Sequence, residues 1–332
     1  MKRRRFSRIG VALAMAVVVT FGGALSSRAQ TSSQTGNQST QTFAFPSQAT
    51  VFPEGVAKDP NSNFFYVGAT ADGTIYRGDV RQPNRGLSVF LPGGADGRTA
   101  VTGMKVDQRG FLWVSGGATG NIWMYNTRDG RLLSQFNNGV QDTFINDVTI
   151  TPDGAAYFTD SRTPIIYRIV PNDQGIFTFE YWRELNGTPI QYSQGFNLNG
   201  IASTADGKYL IVVKSDTGQL FRIATDTREV TEITLAGGDR MTAGDGILLD
   251  GQILHVARNS LNLIVQIRLA PDFASGQQVG SFTDSSFRYT TTIAQSGNRL
   301  LVVNAQFNRR GQGAPPPELP FTVSSVPLPT MR

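Results

Sequence analysis

Residues 146–160 read NDVTITPDGAAYFTD and residues 199–214 read NGIASTADGKYLIVVK. Each opens on an amide, runs through a short apolar stretch into a Pro-Asp-Gly or Ala-Asp-Gly turn, and returns through a stronger apolar stretch. Asp-Gly tolerates the positive φ of a tight hairpin, and short runs of Val, Ile, Tyr and Phe suit strands. The same plan recurs six times: EGVAKD at Glu54, TGMKVD at Thr102, NDVTIT at Asn146, NGIAST at Asn199, DGILLD at Asp245 and TTIAQS at Thr291, at spacings of 48, 44, 53, 46 and 46 residues. The second stretches are FFYVGA, FLWVSG, AAYFTD, YLIVVK, ILHVAR and RLLVVN. A repeat of that length is one four-stranded propeller blade. A solenoid has a comparable period, but six units of variable length without charged caps fit a closed ring better. The expected fold is all-β: a six-bladed β-propeller over residues 42–310, its four-stranded blades set around a central channel. A strand near residues 42–50 would complete the last blade, and a loop at 191–196 absorbs the longest interval.

The flanks read differently. Residues 1–29 hold a basic stretch (KRRRFSR), an apolar run from Ile9 to Leu25 and a small-residue cleavage pattern, Ser27-Arg28-Ala29, which together describe a signal peptide. Arg3-Arg4-x-Phe6 resembles a loose twin-arginine signal; an ordinary secretory signal and an uncleaved anchor are the other readings. The expectation is export to the periplasm or the cell exterior, with no stable membrane span after cleavage. Residues 30–41 (QTSSQTGNQSTQ) form an uncharged polar linker, and residues 311–332 a Pro-rich tail that lies over the propeller or stays loose. The nominal charge of +5 belongs to the leader, because beyond residue 29 there are 24 Lys and Arg against 25 Asp and Glu. No nucleic-acid partner is expected on that balance. With no cysteine and a single histidine, disulfides, thiol nucleophiles and His-rich zinc or iron sites are excluded.

In a propeller the first strand of each blade lines the channel, so the residues opening the six repeats form a ring: Glu54, Thr102, Asn146, Asn199, Asp245 and Thr291. Each carries a side-chain oxygen and none a positive charge, where a packing column would carry Val, Ile or Ala. Two carboxylates converging on one axis repel and are costly to desolvate. A divalent hard cation relieves both costs, and calcium accepts carboxylate, amide and water oxygens. Glu54, Asn146, Asn199 and Asp245 are the expected ligands of Ca2+ or another divalent hard cation. A catalytic ion with an open face and a purely structural ion that fastens the blades both fit the ring. A second column, Ala69, Gly116, Asp160, Lys214, Arg258 and Asn304, closes the second strands and is expected to wall a cavity beside the ion. Thr102, Lys214 and Arg258 are the expected substrate contacts. His255 stands in a column of large apolar residues (Tyr66, Trp113, Tyr157, Ile211, Leu301), which assigns it to packing and leaves Ser-His-Asp catalysis without a histidine.

Four segments, Pro53-Glu54-Gly55, Ile145-Asn146-Asp147, Leu198-Asn199-Gly200-Ile201 and Gly244-Asp245-Gly246, resemble the regucalcin/gluconolactonase/luciferin-regenerating-enzyme family of six-bladed propellers. More distantly they resemble diisopropylfluorophosphatase, the paraoxonases and the strictosidine-synthase-like proteins. The resemblance runs from about Phe52 to Phe307. It implies calcium on Glu54, Asn199 and Asp245, with Asn146 a fourth ligand or a substrate contact. It also implies hydrolysis of a lactone or related small-molecule ester, with Asp245 as general base or nucleophile. The catalytic histidines of the paraoxonase branch have no counterpart, and Thr102 stands where a bulkier polar group is expected. A monomer is expected. The other expectation is a non-catalytic propeller that binds a ligand or protein across its mouth, its calcium purely structural.

Overall fold

The computed structural model describes residues 39–329 apart from 48 and 173; the expected signal peptide and nearly all of the expected linker lie outside them. The chain folds into six antiparallel sheets, one per repeat. The innermost strands are Pro53–Lys58, Met104–Val106, Ile145–Ile150, Leu198–Ser203, Gly244–Asp250 and Thr290–Ser296. Each pairs outward with the apolar second stretch of its repeat. In the first four blades a third and a fourth strand follow in chain order. Blade five has a further short strand, Thr234–Leu235, which runs parallel to Ser275–Phe282 at its outer edge.

The sixth blade closes the ring and corrects the boundary drawn at residue 310. Its third strand is Thr322–Pro327, which pairs with Arg299–Asn304, and its outermost is Gln41–Ala44, which pairs with Thr322–Pro327. The sheet therefore joins both ends of the described chain. What reads as a tail is a Pro-rich connection followed by a strand, TVSSVP, whose Val323 and Val326 are buried. The N-terminal strand completes the last blade, as expected.

No single core runs through the molecule. The buried apolar residues fall into six clusters, and each is built from the facing sheets of two adjacent blades, the sixth and first included. His255 lies in one of these gaps, 3% exposed, opposite Leu248 and Gln266. Burial of its ring lowers its pKa.

The inner strands crowd one another at the residue after each ring position, which is Gly in four of the six blades (Gly55, Gly103, Gly200, Gly246). A Cβ on Gly200 would fall 2.3 Å from the carbonyl oxygen of Asp245, and one on Gly55 would fall 2.1 Å from that of Thr102. Both obstacles are backbone and cannot rotate away. Gly200→Ala is therefore expected to destabilise the propeller by about 3 kcal/mol, at the upper end for overpacking. Chemical denaturation reads this directly, and an unchanged midpoint would contradict the packing.

Candidate functional site: a ring of oxygens at one mouth of the channel

Five of the six inner strands share a local irregularity. Their pairing with the second strand shifts register between the residue before the ring position and the second residue after the ring position. Such a bulge bends the strand and re-aims a side chain. It turns Glu54, Asn146, Asn199, Asp245 and Thr291 out of the alternation that otherwise directs side chains between the blades. Two residues earlier, Phe52, Ala243 and Tyr289 adopt positive φ (42°, 59° and 54°). That conformation is uncommon outside glycine, and it clusters where a site over-determines the backbone.

All six ring residues are buried, but they divide by their hydrogen bonds. The two threonines are clasps: Thr102 Oγ1 donates to the Ile145 carbonyl at 2.8 Å, and Thr291 Oγ1 to that of Glu54 at 2.8 Å. Each ties its blade to the next. The other four each keep a buried oxygen without any hydrogen-bond donor: Glu54 Oε2, Asn146 Oδ1, Asn199 Oδ1 and Asp245 Oδ1. Burial without a donor is costly for one such atom, and here four share one rim. Their remaining polar atoms are anchored where the structure shows partners. Asn146 Nδ2 donates to Ser161 Oγ at 2.8 Å, and Asp245 Oδ2 accepts from Asn259 Nδ2 at 3.1 Å.

The carboxyls respond to this setting. Burial raises Asp245 from its ordinary 3.8 to about 7, against the Asn259 hydrogen bond and with the repulsion of Asp147 added. Burial, then the charges of Asp245 and Asp147, lifts Glu54 well above the usual carboxylate range. These mutual effects place the three acids in one electrostatic neighbourhood.

Asp147 is a member the sequence reading missed. It occupies the post-ring column that is otherwise Gly55, Gly103, Gly200, Gly246 and Thr292, and that departure was visible in the alignment of the repeats. Its carboxylate accepts from the backbone amides of Val148 at 2.8 Å and Ile201 at 3.3 Å. Burial raises it to about 6, with Lys105 opposing.

The second column does not wall the site. The pairing sets Asp160, Lys214 and Arg258 opposite Ile145, Leu198 and Gly244, the residues before the ring positions, so their side chains leave the axis. Lys214 is 2% exposed and is held by Asp216 at 2.6 and 2.5 Å. Arg258 donates to the Thr242 carbonyl at 2.8 Å and to its hydroxyl at 2.7 Å. Asp160 anchors the loop that follows it, accepting from the amides of Arg162 and Thr163 at 2.9 Å. Lys214 and Arg258 anchor loops here, and the Thr102 hydroxyl is engaged by its clasp.

The residues beside the ring come one position later: Thr70, Gly117, Ser161, Ser215, Asn259 and Ala305. Ser161 Oγ donates to the Leu198 carbonyl at 2.5 Å, Ser215 Oγ donates to that of Gly244, and Asn259 holds Asp245. Ser161, Ser215 and Asn259 thus tie the ring to its neighbouring strands.

Among the described residues no three His, Cys, Asp or Glu side chains gather as a metal cluster. The set here is two carboxylates and two amide oxygens, which as hard oxygen donors suit calcium better than zinc or iron. No described helix is long and apolar enough to cross a membrane.

No protein-family model matches the chain, and no curated protein matches it. Solved structures do. A luciferin-regenerating enzyme superposes with a TM-score of 0.59 at 14% identity, over 87% of this chain and 96% of its own. A putative gluconolactonase gives 0.58 at 14%, over 87% and 92%. Virginiamycin B lyase from Staphylococcus aureus gives 0.58 at 14%, over 86% and 98%. At that identity the likeness is one of fold, and it agrees with the six blades seen here.

Proposed function

We propose that the ring binds a divalent hard cation, calcium foremost, and that the chain is an exported hydrolase of a lactone or related small-molecule ester. The observation that carries the reading is the set of four buried, donor-less oxygens on Glu54, Asn146, Asn199 and Asp245. A cation is the partner such a set lacks, and two carboxylates balance its charge. Two of the similar folds, a luciferin-regenerating enzyme and a putative gluconolactonase, agree with the reaction class.

Glu54, Asn146, Asn199 and Asp245 would hold the ion. When bound, it would polarise a carbonyl as a Lewis acid and keep both acids ionised. Asp245 is the residue suited to move a proton. Asn259 fixes its Oδ2, which leaves the donor-less Oδ1 as the atom that would accept a proton from an attacking water. Asn146, positioned by Ser161, would orient the substrate. Activity of the mature protein on a panel of lactones and esters, abolished by chelation and restored by calcium, is the expected result. A panel without turnover in either condition would overturn the hydrolase.

A second reading keeps the ion and drops the chemistry. All four ligand residues are at most 9% exposed, which favours an ion that fastens the blades beneath a ligand-binding mouth. Calcium that raises the melting temperature without supporting turnover would select it.

The pH dependence has a definite sign. The folded pKa values of Glu54, Asp147 and Asp245 are raised. Below their ordinary values both states keep the protons, and burial costs nothing extra. As pH rises from about 4 towards 7 the unfolded chain ionises first, so the cation-free fold loses stability across that interval. A cation that pairs with the ionised carboxylates restores it. The calcium-induced rise in melting temperature should therefore be larger at pH 8 than at pH 5. Equal rises would count against the carboxylates as ligands.

A further inference from the structure

At the channel mouth opposite the ring, a cavity of about 590 Å³ opens among the strand ends and hairpin turns of blades two to four. That volume lies within the range of about 300–1,000 Å³ typical of small-molecule sites. Lys105, Asp107, Arg109, Thr151, Asp153 and Ser203 supply its polar wall. Both carboxylates in that wall are satisfied internally. Asp107 accepts from Arg109 Nη2 at 2.5 Å and Nε at 2.9 Å, and from the amides of Arg109 and Phe111 at 2.9 Å. Asp153 accepts from Thr151 Oγ1 at 2.5 Å and from the Ala155 amide at 3.3 Å.

Lys105 is the exception. It rises from the inner strand Met104–Val106, opposite Trp113. Burial lowers its pKa, and only the charge of Asp147 opposes that, acting through space. Among the described residues it makes no hydrogen bond or ion pair. An ammonium has three donors, and that of Lys105, half-buried on the cavity wall with none of them matched by the described chain, is open to acceptors from outside it. Ser203, from blade four, lines the same cavity, its hydroxyl donating to the Ile150 carbonyl at 3.1 Å.

We propose that this cavity binds a small oxyanion, the carboxylate or phosphate group of a small molecule, with the Lys105 ammonium as its anchor. The site is separate from the ring and stands whether or not the ring is catalytic. An ammonium gives shorter and stronger hydrogen bonds to an anion than to a neutral acceptor.

The test titrates calcium-free, chelated protein with inorganic phosphate and, separately, with succinate, followed by calorimetry. Saturable binding of at least one probe is expected; which of the two saturates tells whether phosphate or carboxylate is the preferred group. Lys105→Met should weaken binding by at least about tenfold, while Lys105→Arg, which keeps the charge, should hold it within about threefold. If Lys105→Met does not fold, Ser203→Glu places a carboxylate on the cavity wall and should block the anion in its place. Failure of both probes to saturate, or full affinity in Lys105→Met or Ser203→Glu, would overturn the site.

Discussion

Asp245→Asn is expected to lower turnover of any lactone or ester substrate by roughly 10²–10⁴-fold, the usual contribution of a positioned general base, while leaving the propeller folded. The amide keeps the shape and can still share a hydrogen bond with Asn259, but it can neither accept the proton nor balance a cation. A second readout makes the prediction sharper. Replacing a buried carboxyl whose pKa is raised to about 7 with a neutral amide removes an ionisation cost at alkaline pH. The cation-free variant should therefore melt at least as high as the parent at pH 8, and calcium should no longer raise its melting temperature. Unchanged turnover would remove Asp245 from the chemistry. A calcium-dependent rise as large as the parent's would remove it from the ion.

A chain ending at Gly313 is expected not to fold. It lacks Phe321, Val323 and Val326, which are 0%, 0% and 3% exposed, and it leaves both Gln41–Ala44 and Arg299–Asn304 without their common partner. Burying three such side chains is worth roughly 5–9 kcal/mol, comparable with the entire stability of a typical domain, about 5–15 kcal/mol. The lost ladder hydrogen bonds come on top. A chain ending at Leu328 retains the strand and should melt like the parent. Circular dichroism with thermal melting distinguishes the two truncations, and a cooperative transition in the shorter chain would contradict the closure.

The ring was legible because it is periodic. Six blades repeat one geometry, so Glu54, Asn146, Asn199 and Asp245 fall into one column wherever the strand ends are drawn. The neighbouring column was misassigned by a single residue. The bulge at five of the six ring positions shifts the pairing, and the residue beside Asp245 is Asn259 rather than Arg258. No hydrophobic pattern announces a bulge, so Lys214 and Arg258 looked like cavity walls and prove to be loop anchors. The strand Thr322–Pro327 was hidden for another reason. The run GAPPPELP at residues 313–320 separates it from its partner, and such composition reads as loose chain whatever follows. Asp147 was available to inspection, as a charge in a column of glycines.

The sheet built from both chain ends has a consequence for how the site comes into being. The sixth blade receives its outermost strand from the beginning of the chain and its other three from the end, so it is a seam. Its neighbours on either side, blades one and five, supply Glu54 and Asp245. The two carboxylates thus come from the blades on either side of that seam, and Thr291, on the seam itself, reaches over to the Glu54 carbonyl. A cation shared by those acids would act as a staple across the joint. Its affinity would report whether the ring is shut, and its removal would weaken the propeller where its two ends meet.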